Sequence, residues 1–249
     1  MANFKNPIII IPARMGSSRL PGKPLADLNG QAMVIHVMRR AEQSGVGPVY
    51  IAAAEQEIVD AVIVAGGNAI LTDPDLPSGS DRVFRALEIV DPEGKYDVVI
   101  NLQGDLPTIS PEIIERVLDP LTEDEVDIGT LAAVIEDKSE TEDPNVVKAI
   151  VGLQHGQRVG RALFFSRAAV PFGEGPYYHH IGLYAFRRDA LRRFVSLPEG
   201  VLERRERLEQ LRALEVGMRI DVALVDTVPD GVDTPSDLAR ARERLTAQS

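Results

Sequence analysis

Between Pro12 and Leu25 the chain carries three cations, Arg14, Arg19 and Lys23, and no acid stands anywhere from Ile8 to Ala26. Such a loop suits a polyphosphate. Gly16, Ser17, Ser18 and Gly22 are interspersed, and small residues let backbone N–H groups come close to an anion. Two acids further on could complete a site for phosphate chemistry. Asp105 ends Gln103-Gly104-Asp105, and Asp233 lies within Gly231-Val232-Asp233-Thr234-Pro235. If both reach one sheet edge, the pair could hold a divalent ion, because magnesium takes few carboxylates alongside phosphate and water oxygens. Taken singly, Asp105 also reads as a turn residue and Asp233 as a helix cap.

The loop does not fit two better-known phosphate motifs. Five residues separate Gly16 from Gly22, one more than a Walker P-loop allows, and Pro24 stands where Ser or Thr would bind magnesium. No G-x-G-x-x-G follows the first strand, so a dinucleotide fingerprint is absent. Ser78-Gly79-Ser80-Asp81-Arg82 could read a nucleobase edge or a phosphate; Ser80 as N-cap of a helix from Val83 to Val90 is equally compatible. His179 and His180 are adjacent on a strand-like run and should face opposite sides, which makes them a poor pair of ligands for one metal. His180 alone could contact a substrate carboxylate or hydroxyl, or simply pack. Glu203 to Glu215 reads as one helix, with Leu208, Leu211 and Leu214 on one side and Glu206 and Gln210 one turn apart on another.

Alternating strand and helix patterns must position these residues. Pro7 to Pro12 contains four consecutive isoleucines, the mark of a strand buried on both faces in a parallel sheet. Val49 to Ala53, Asn68 to Leu71 and Asp97 to Leu102 are further strands. Met33 to Ser44, Gln56 to Ala65 and Pro111 to Leu118 read as the intervening helices. The alternation predicts an α/β fold, mostly parallel, with right-handed crossovers. After about Gly129 the pattern changes. Short strands at Thr130 to Ile135, Val146 to Val151, Ala162 to Ser166 and Ile181 to Phe186 suggest a mixed or antiparallel excursion, a candidate substrate lid or dimer surface. Asp189 to Val195 reads as a helix, Ile220 to Val225 as a strand, and Pro235 to Leu245 as a closing helix capped by Thr234.

Bulk properties narrow the function classes. The 249 residues suit one large α/β domain, 1–249, with a small subdomain at about 130–190. The net charge of −11 argues against a nucleic-acid partner and makes the cationic loop stand out. There is no cysteine, so disulfides and thiolate metal sites are excluded. No signal-like or membrane-length apolar run is present, so the expectation is a cytoplasmic protein with no membrane partner.

Eight segments occur in order over nearly the whole chain: PARMGSSRLPGKPL, SGSDR, NLQGD, DPNVVKAI, ALFFSRAAVPF, HHIGLYAFRR, LEQLRALEVG and GVDTPSDL. Together they closely resemble the 3-deoxy-manno-octulosonate (Kdo) cytidylyltransferase family. The resemblance implies a Rossmann-like nucleotide-diphospho-sugar transferase fold that couples CTP with Kdo, giving CMP-Kdo and pyrophosphate for lipopolysaccharide assembly. It implies that Arg14, Ser17, Ser18, Arg19 and Lys23 cradle the triphosphate. Ser80, Arg82 and Gln103 would place the cytidine, and Asp105 and Asp233 would bind Mg2+. Arg14, Lys23 and the two aspartates would be the catalytic set. Arg167, His180, Tyr184, Glu209 and Gln210 would line the sugar pocket, and the protein would be a homodimer. Two positions depart from the family pattern, Leu106 after QGD and His179 before the pocket histidine. They leave room for a variant sugar such as 8-amino-Kdo; a CMP-sialic acid type of cytidylyltransferase is the nearest rival, and its loop lacks the Arg19-Leu20-Pro21-Gly22-Lys23-Pro24 run present here. A non-catalytic nucleotide-binding protein is the alternative of a different class.

Overall fold

The computed structural model describes residues 6–17 and 19–247. Ser18, expected in the phosphate loop, lies outside the described residues. The chain forms two compact units, one of residues 6–115 with the stretch from 229 onward, the other of residues 116–228.

The first unit is built on β1 (Pro7–Ala13), whose isoleucines 8 to 11 are completely buried. Burying each such side chain stabilises by roughly 1.5–3 kcal/mol, so β1 anchors the core. The small strands β2 (Asp27–Leu28) and β3 (Gln31–Ala32) pair with each other and lead into α1 (Met33–Gln43). Then follow β4 (Val49–Ala53), α2 (Gln56–Val64), β5 (Ala69–Leu71), α3 (Gly79–Val90), β6 (Val98–Asn101) and α4 (Pro111–Arg116). The order β5–β4–β1–β6 is parallel throughout, as buried runs separated by helices predict.

The second unit contains β7 (Ile128–Val134), α5 (Lys138–Glu142), β8 (Lys148–Gly152), β9 (Val159–Ser166) and β10 (Tyr178–Arg187). It continues with α6 (Arg188–Ser196), α7 (Val201–Glu206), α8 (Leu211–Glu215) and β11 (Ile220–Val225). Its strands run β10–β7–β11–β9–β8, antiparallel except for β7 with β11. A further antiparallel pairing joins β8 to β10, with Lys148 opposite His179. The chain then returns to the first unit as α9 (Pro235–Ala247), which packs Leu238, Ala241 and Leu245 against Leu28, Met33 and Val232. Among the described residues no helix is long and apolar enough to cross a membrane.

Two local expectations are corrected. The helix after Gly79 is capped by Ser78, whose hydroxyl accepts from the Asp81 N–H at 3.2 Å; Ser80 sits inside the first turn and is buried. Glu203 to Glu215 is not one helix. Arg207 takes the left-handed conformation, φ 56°, and ends α7; a turn through Leu208, Glu209 and Gln210 precedes α8. A left-handed non-glycine residue costs roughly 1–2 kcal/mol. Hydrogen bonds from the Arg167 guanidinium to the Glu206 and Arg207 carbonyls, at about 1 kcal/mol each, offset it.

Candidate functional site

The cationic loop leaves β1 at its carboxyl end. Gly22, in the left-handed region at φ 69°, turns the chain into a single 3-10 turn, Lys23–Leu25, with Pro24 in its first positions. That turn aims Lys23 inward. Across from it, the Gln103-Gly104-Asp105 loop follows β6 and passes so close to β1 that a Cβ on Gly104 would sit 3.0 Å from the Pro12 carbonyl oxygen. A larger residue there would push Asp105 away. Asp233 arrives from the far end of the sequence. Val232 is buried in the core cluster and donates its N–H to the Asp105 carbonyl at 2.9 Å. Asp237 accepts from the N–H groups of Asp233 and Thr234, and Thr234 Oγ1 accepts from the Asp237 N–H in return, so the start of α9 is doubly capped.

The two aspartates therefore meet. Lys23 Nζ donates to Asp105 Oδ2 at 2.7 Å and to Asp233 Oδ1 at 3.0 Å, and Arg19 pairs with the second oxygen of Asp233 at 3.0 Å. Burial works against the Lys23 charge, but Asp105 and then Asp233 outweigh it and raise the ammonium's pKa. Lys23, Asp105 and Arg19 border a cavity of about 390 Å³ whose lining also includes Arg14, Ser17, Arg82 and Gln103; Asp233 reaches it only through its pairs with Lys23 and Arg19. The N-terminus of the twelve-residue α3 also lines it, through Ser78 and Gly79, and brings a positive dipole end. Ser80 lies beneath this wall rather than on it: Asn101 Nδ2 donates to Ser80 Oγ, and Gln103 Nε2 to Asn101 Oδ1, each at 3.4 Å. Arg82 is buried with its guanidinium on Thr72 Oγ1 and the carbonyls of Asp73 and Pro74.

Among the described residues no group of three or more His, Asp or Glu gathers as a metal site. Two carboxylates sharing one cation are nevertheless the donor set that magnesium accepts when phosphate oxygens supply the rest. The residues present fit such an ion.

In the second unit, His180 is buried between rings, 4.7 Å from Phe165 and 5.6 Å from Tyr184 between centroids. Its Nε2 lies 3.1 Å from Thr130 Oγ1, and the Thr130 hydroxyl has the Leu183 carbonyl at 2.9 Å as acceptor. The single hydroxyl proton goes to the carbonyl, so Nε2 carries the imidazole proton and Nδ1 accepts. Gln210 Nε2 faces that Nδ1 at 3.5 Å. Burial raises the Tyr184 pKa, and the charge of Glu209 adds to the shift. Arg167 spends three N–H directions on the carbonyls of Glu206, Pro144 and Arg207, so it holds the wall near Gln210 together.

A family model for cytidylyltransferases matches residues 8–220. The chain is 65% identical to the 3-deoxy-manno-octulosonate cytidylyltransferase of Paramagnetospirillum magneticum over 241 residues, 97% of this chain and 98% of that one. This chain belongs to the 3-deoxy-manno-octulosonate cytidylyltransferases. The relative of the same name from Rhodospirillum rubrum is 63% identical over 240 residues, 96% of this chain and 95% of its own length. A solved CMP:2-keto-3-deoxy-manno-octonic acid synthetase complexed with CTP matches at TM-score 0.90 and 38% identity, covering 98% of this chain and 100% of that one. The fold is thus that of an α/β nucleotidyltransferase.

For this cytidylyltransferase, several polar residues of the site went unread in the sequence. Glu55 accepts from the Met15 N–H at 3.0 Å and so pins the cationic loop; Asn101 links Ser80 to Gln103; Thr130 sets the His180 tautomer. Only Asn101 had a readable signal, as the one polar residue within the apolar run Val98 to Leu102.

His180 also makes stability depend on pH. Burial, with a smaller push from His179, holds its pKa down to about 3 against an ordinary 6.5. Between those values the unfolded chain binds the proton and the folded one does not, so stability rises with pH across that window and levels off above it. At 1.36 kcal/mol per unit, lowering the pH from 6.5 to 5 should cost about 2 kcal/mol through this residue. Urea unfolding of wild type and His180→Gln at both pH values measures it; equal losses in the two proteins would discard the assignment.

Proposed function

We propose that this chain transfers CMP from CTP to the anomeric 2-hydroxyl of Kdo and releases pyrophosphate. The observation that carries the reading is the meeting of Asp105 and Asp233 on one ammonium, that of Lys23, which itself lines a cation-rich cavity. The cations that now neutralise these carboxylates, Lys23 and Arg19, are of the type a triphosphate would draw onto itself. Arg14 and Ser17 extend the same cradle, and Arg82, Gln103 and Ser80 behind it suit the cytidine.

The hydroxyl attacks the α-phosphorus in line with the leaving pyrophosphate, and positioning and charge neutralisation supply most of the catalysis. Lys23, Arg14 and Arg19 stabilise charge as it develops on the departing group. A divalent cation held by Asp105 and Asp233 would lower the pKa of the attacking hydroxyl and neutralise phosphate charge. His180, Tyr184, Glu209 and Gln210 bind the acid sugar through hydrogen bonds, and Arg167 fixes the turn that carries Gln210.

The reading also places the reaction in the cytoplasm, with the protein as a homodimer. Exposed apolar side chains in the second unit, Val134, Leu163 and fully exposed Phe172, support a covered surface there.

The test is pyrophosphate release with CTP and each of Kdo, 8-amino-Kdo and sialic acid, in Mg2+ buffer. Turnover with CTP and Kdo is expected, and none with sialic acid. A preference for 8-amino-Kdo would reassign the sugar, and no release with any would leave a nucleotide-binding protein without this activity.

A further inference from the structure

The longest fully buried polar side chain in the second unit belongs to none of the roles above. Lys148, the first residue of β8, has no solvent exposure. Among the described residues its ammonium forms no ion pair, although the charges of Asp143 and Glu142 lie near enough to favour it. It donates instead to three backbone carbonyls, those of Val146 at 2.6 Å, Arg167 at 2.8 Å and Asp143 at 2.9 Å. Three donors on three acceptors satisfy the group completely. Burying a cation is nonetheless expensive, and an apolar residue would fill the same space more cheaply. The arrangement makes sense if fixing those carbonyls matters more than filling the volume.

Both arms leading from Lys148 end in the pocket. On one, the clamped 143–146 segment runs into Val147, whose carbonyl accepts the His180 N–H at 2.8 Å. On the other, Arg167, held by its carbonyl, places its guanidinium on the Glu206 and Arg207 carbonyls and ties back to Pro144 in the first segment. Arg207 is the left-handed residue that breaks the helix and swings Gln210 onto His180 Nδ1. One ammonium therefore stands at the root of two segments that present neighbouring polar groups.

We infer that Lys148 is a positioning residue for the acid-sugar pocket, holding His180 and Gln210 in register through the carbonyls of Val146 and Arg167. The inference rests on the acid-sugar reading above. The clamp lies wholly in the second unit and the residues assigned to CTP lie in the first, so its loss should separate the two substrates kinetically. Steady-state assays on full-length wild type and Lys148→Met should show the KM for Kdo raised on the order of tenfold to a hundredfold, the scale of a small misplacement of binding groups. The KM for CTP should stay within about twofold, since it reads a different set of groups. If the methionine variant yields no folded protein, Lys148→Gln, which keeps two N–H donors, is read the same way and should show a smaller rise. A lysine that merely stabilises the fold would lower the melting temperature and leave both KM values alone; that result, or a parallel rise in both, overturns the inference. Wild type that fails to turn over Kdo with CTP defeats the functional reading itself, whereas normal wild-type turnover with an unchanged KM for Kdo in the variants defeats only the role of Lys148.

Discussion

Asp105→Asn should cut turnover of CTP and Kdo by about 10³-fold or more while leaving the protein folded, because it removes half of the negative charge that the site gathers. The substitution keeps shape and changes charge. In the wild-type site two carboxylates face Lys23 and Arg19 and balance them. With asparagine the balance tips positive, and the remaining carboxylate of Asp233 is already engaged by both cations. A site with net positive charge repels a divalent ion and over-binds phosphate. The expected signature is a large fall in kcat with little loss of CTP binding, and activity that no increase in Mg2+ restores. Stability should change little, since partly exposed ion pairs contribute roughly 0–1 kcal/mol. Asp233→Asn should behave alike, with a smaller fall, because Asp233 is the more exposed of the two. Pyrophosphate release under saturating substrates measures the effect. Wild-type rates in the Asp105 variant would move the chemistry elsewhere.

What the sequence reveals of this site depends on how local each cause is. The isoleucines of β1 and the limits of β4 and β11 were legible, because a strand buried on both faces writes itself as an apolar run. The sheet-edge position of Asp105 followed from the apolar run before Gln103, while that of Asp233 was only a condition of the reading. Their meeting did not follow: it depends on Val232 seated in the core and donating to the Asp105 carbonyl. The break at Arg207 was illegible for a different reason. Glu203 to Glu215 has sound helix formers and no glycine or proline, and the residue that turns the chain is held by Arg167, distant in sequence. Helix propensity is a weak prior against several specific hydrogen bonds. Ser78 and Ser80 flank one glycine, and composition alone does not choose the cap between them. Lys148 is the plainest case. Its residue type reads as solvent-exposed, and only the three converging carbonyls explain its burial.

Lys23→Ala should lower the rate by roughly 2–4 kcal/mol, about 30- to 10³-fold, the scale of one lost electrostatic donor at developing charge. The argument starts from where the ammonium sits. It is largely buried, with 16% of its side chain exposed, and among the described residues it is the one cation paired with both aspartates. Its neighbours on the loop are farther out: Arg14 and Arg19 are exposed, so water already screens them. A charge in the drier position acts more strongly on the departing pyrophosphate than either arginine can. Alanine also leaves Asp105 and Asp233 facing each other with only Arg19 between one of them and bulk water, which should slightly destabilise the loop without unfolding the unit. Because the interaction grows as the bond to the leaving group breaks, the loss should fall mainly on kcat, with the KM for CTP rising less. Lys23→Arg should recover part of the rate, since charge is kept while the compact point donor is replaced by a planar fork that fits less well between two carboxylates. An unchanged kcat in Lys23→Ala would show that the ammonium only pins the loop, and the arginines would then have to carry the leaving-group charge alone.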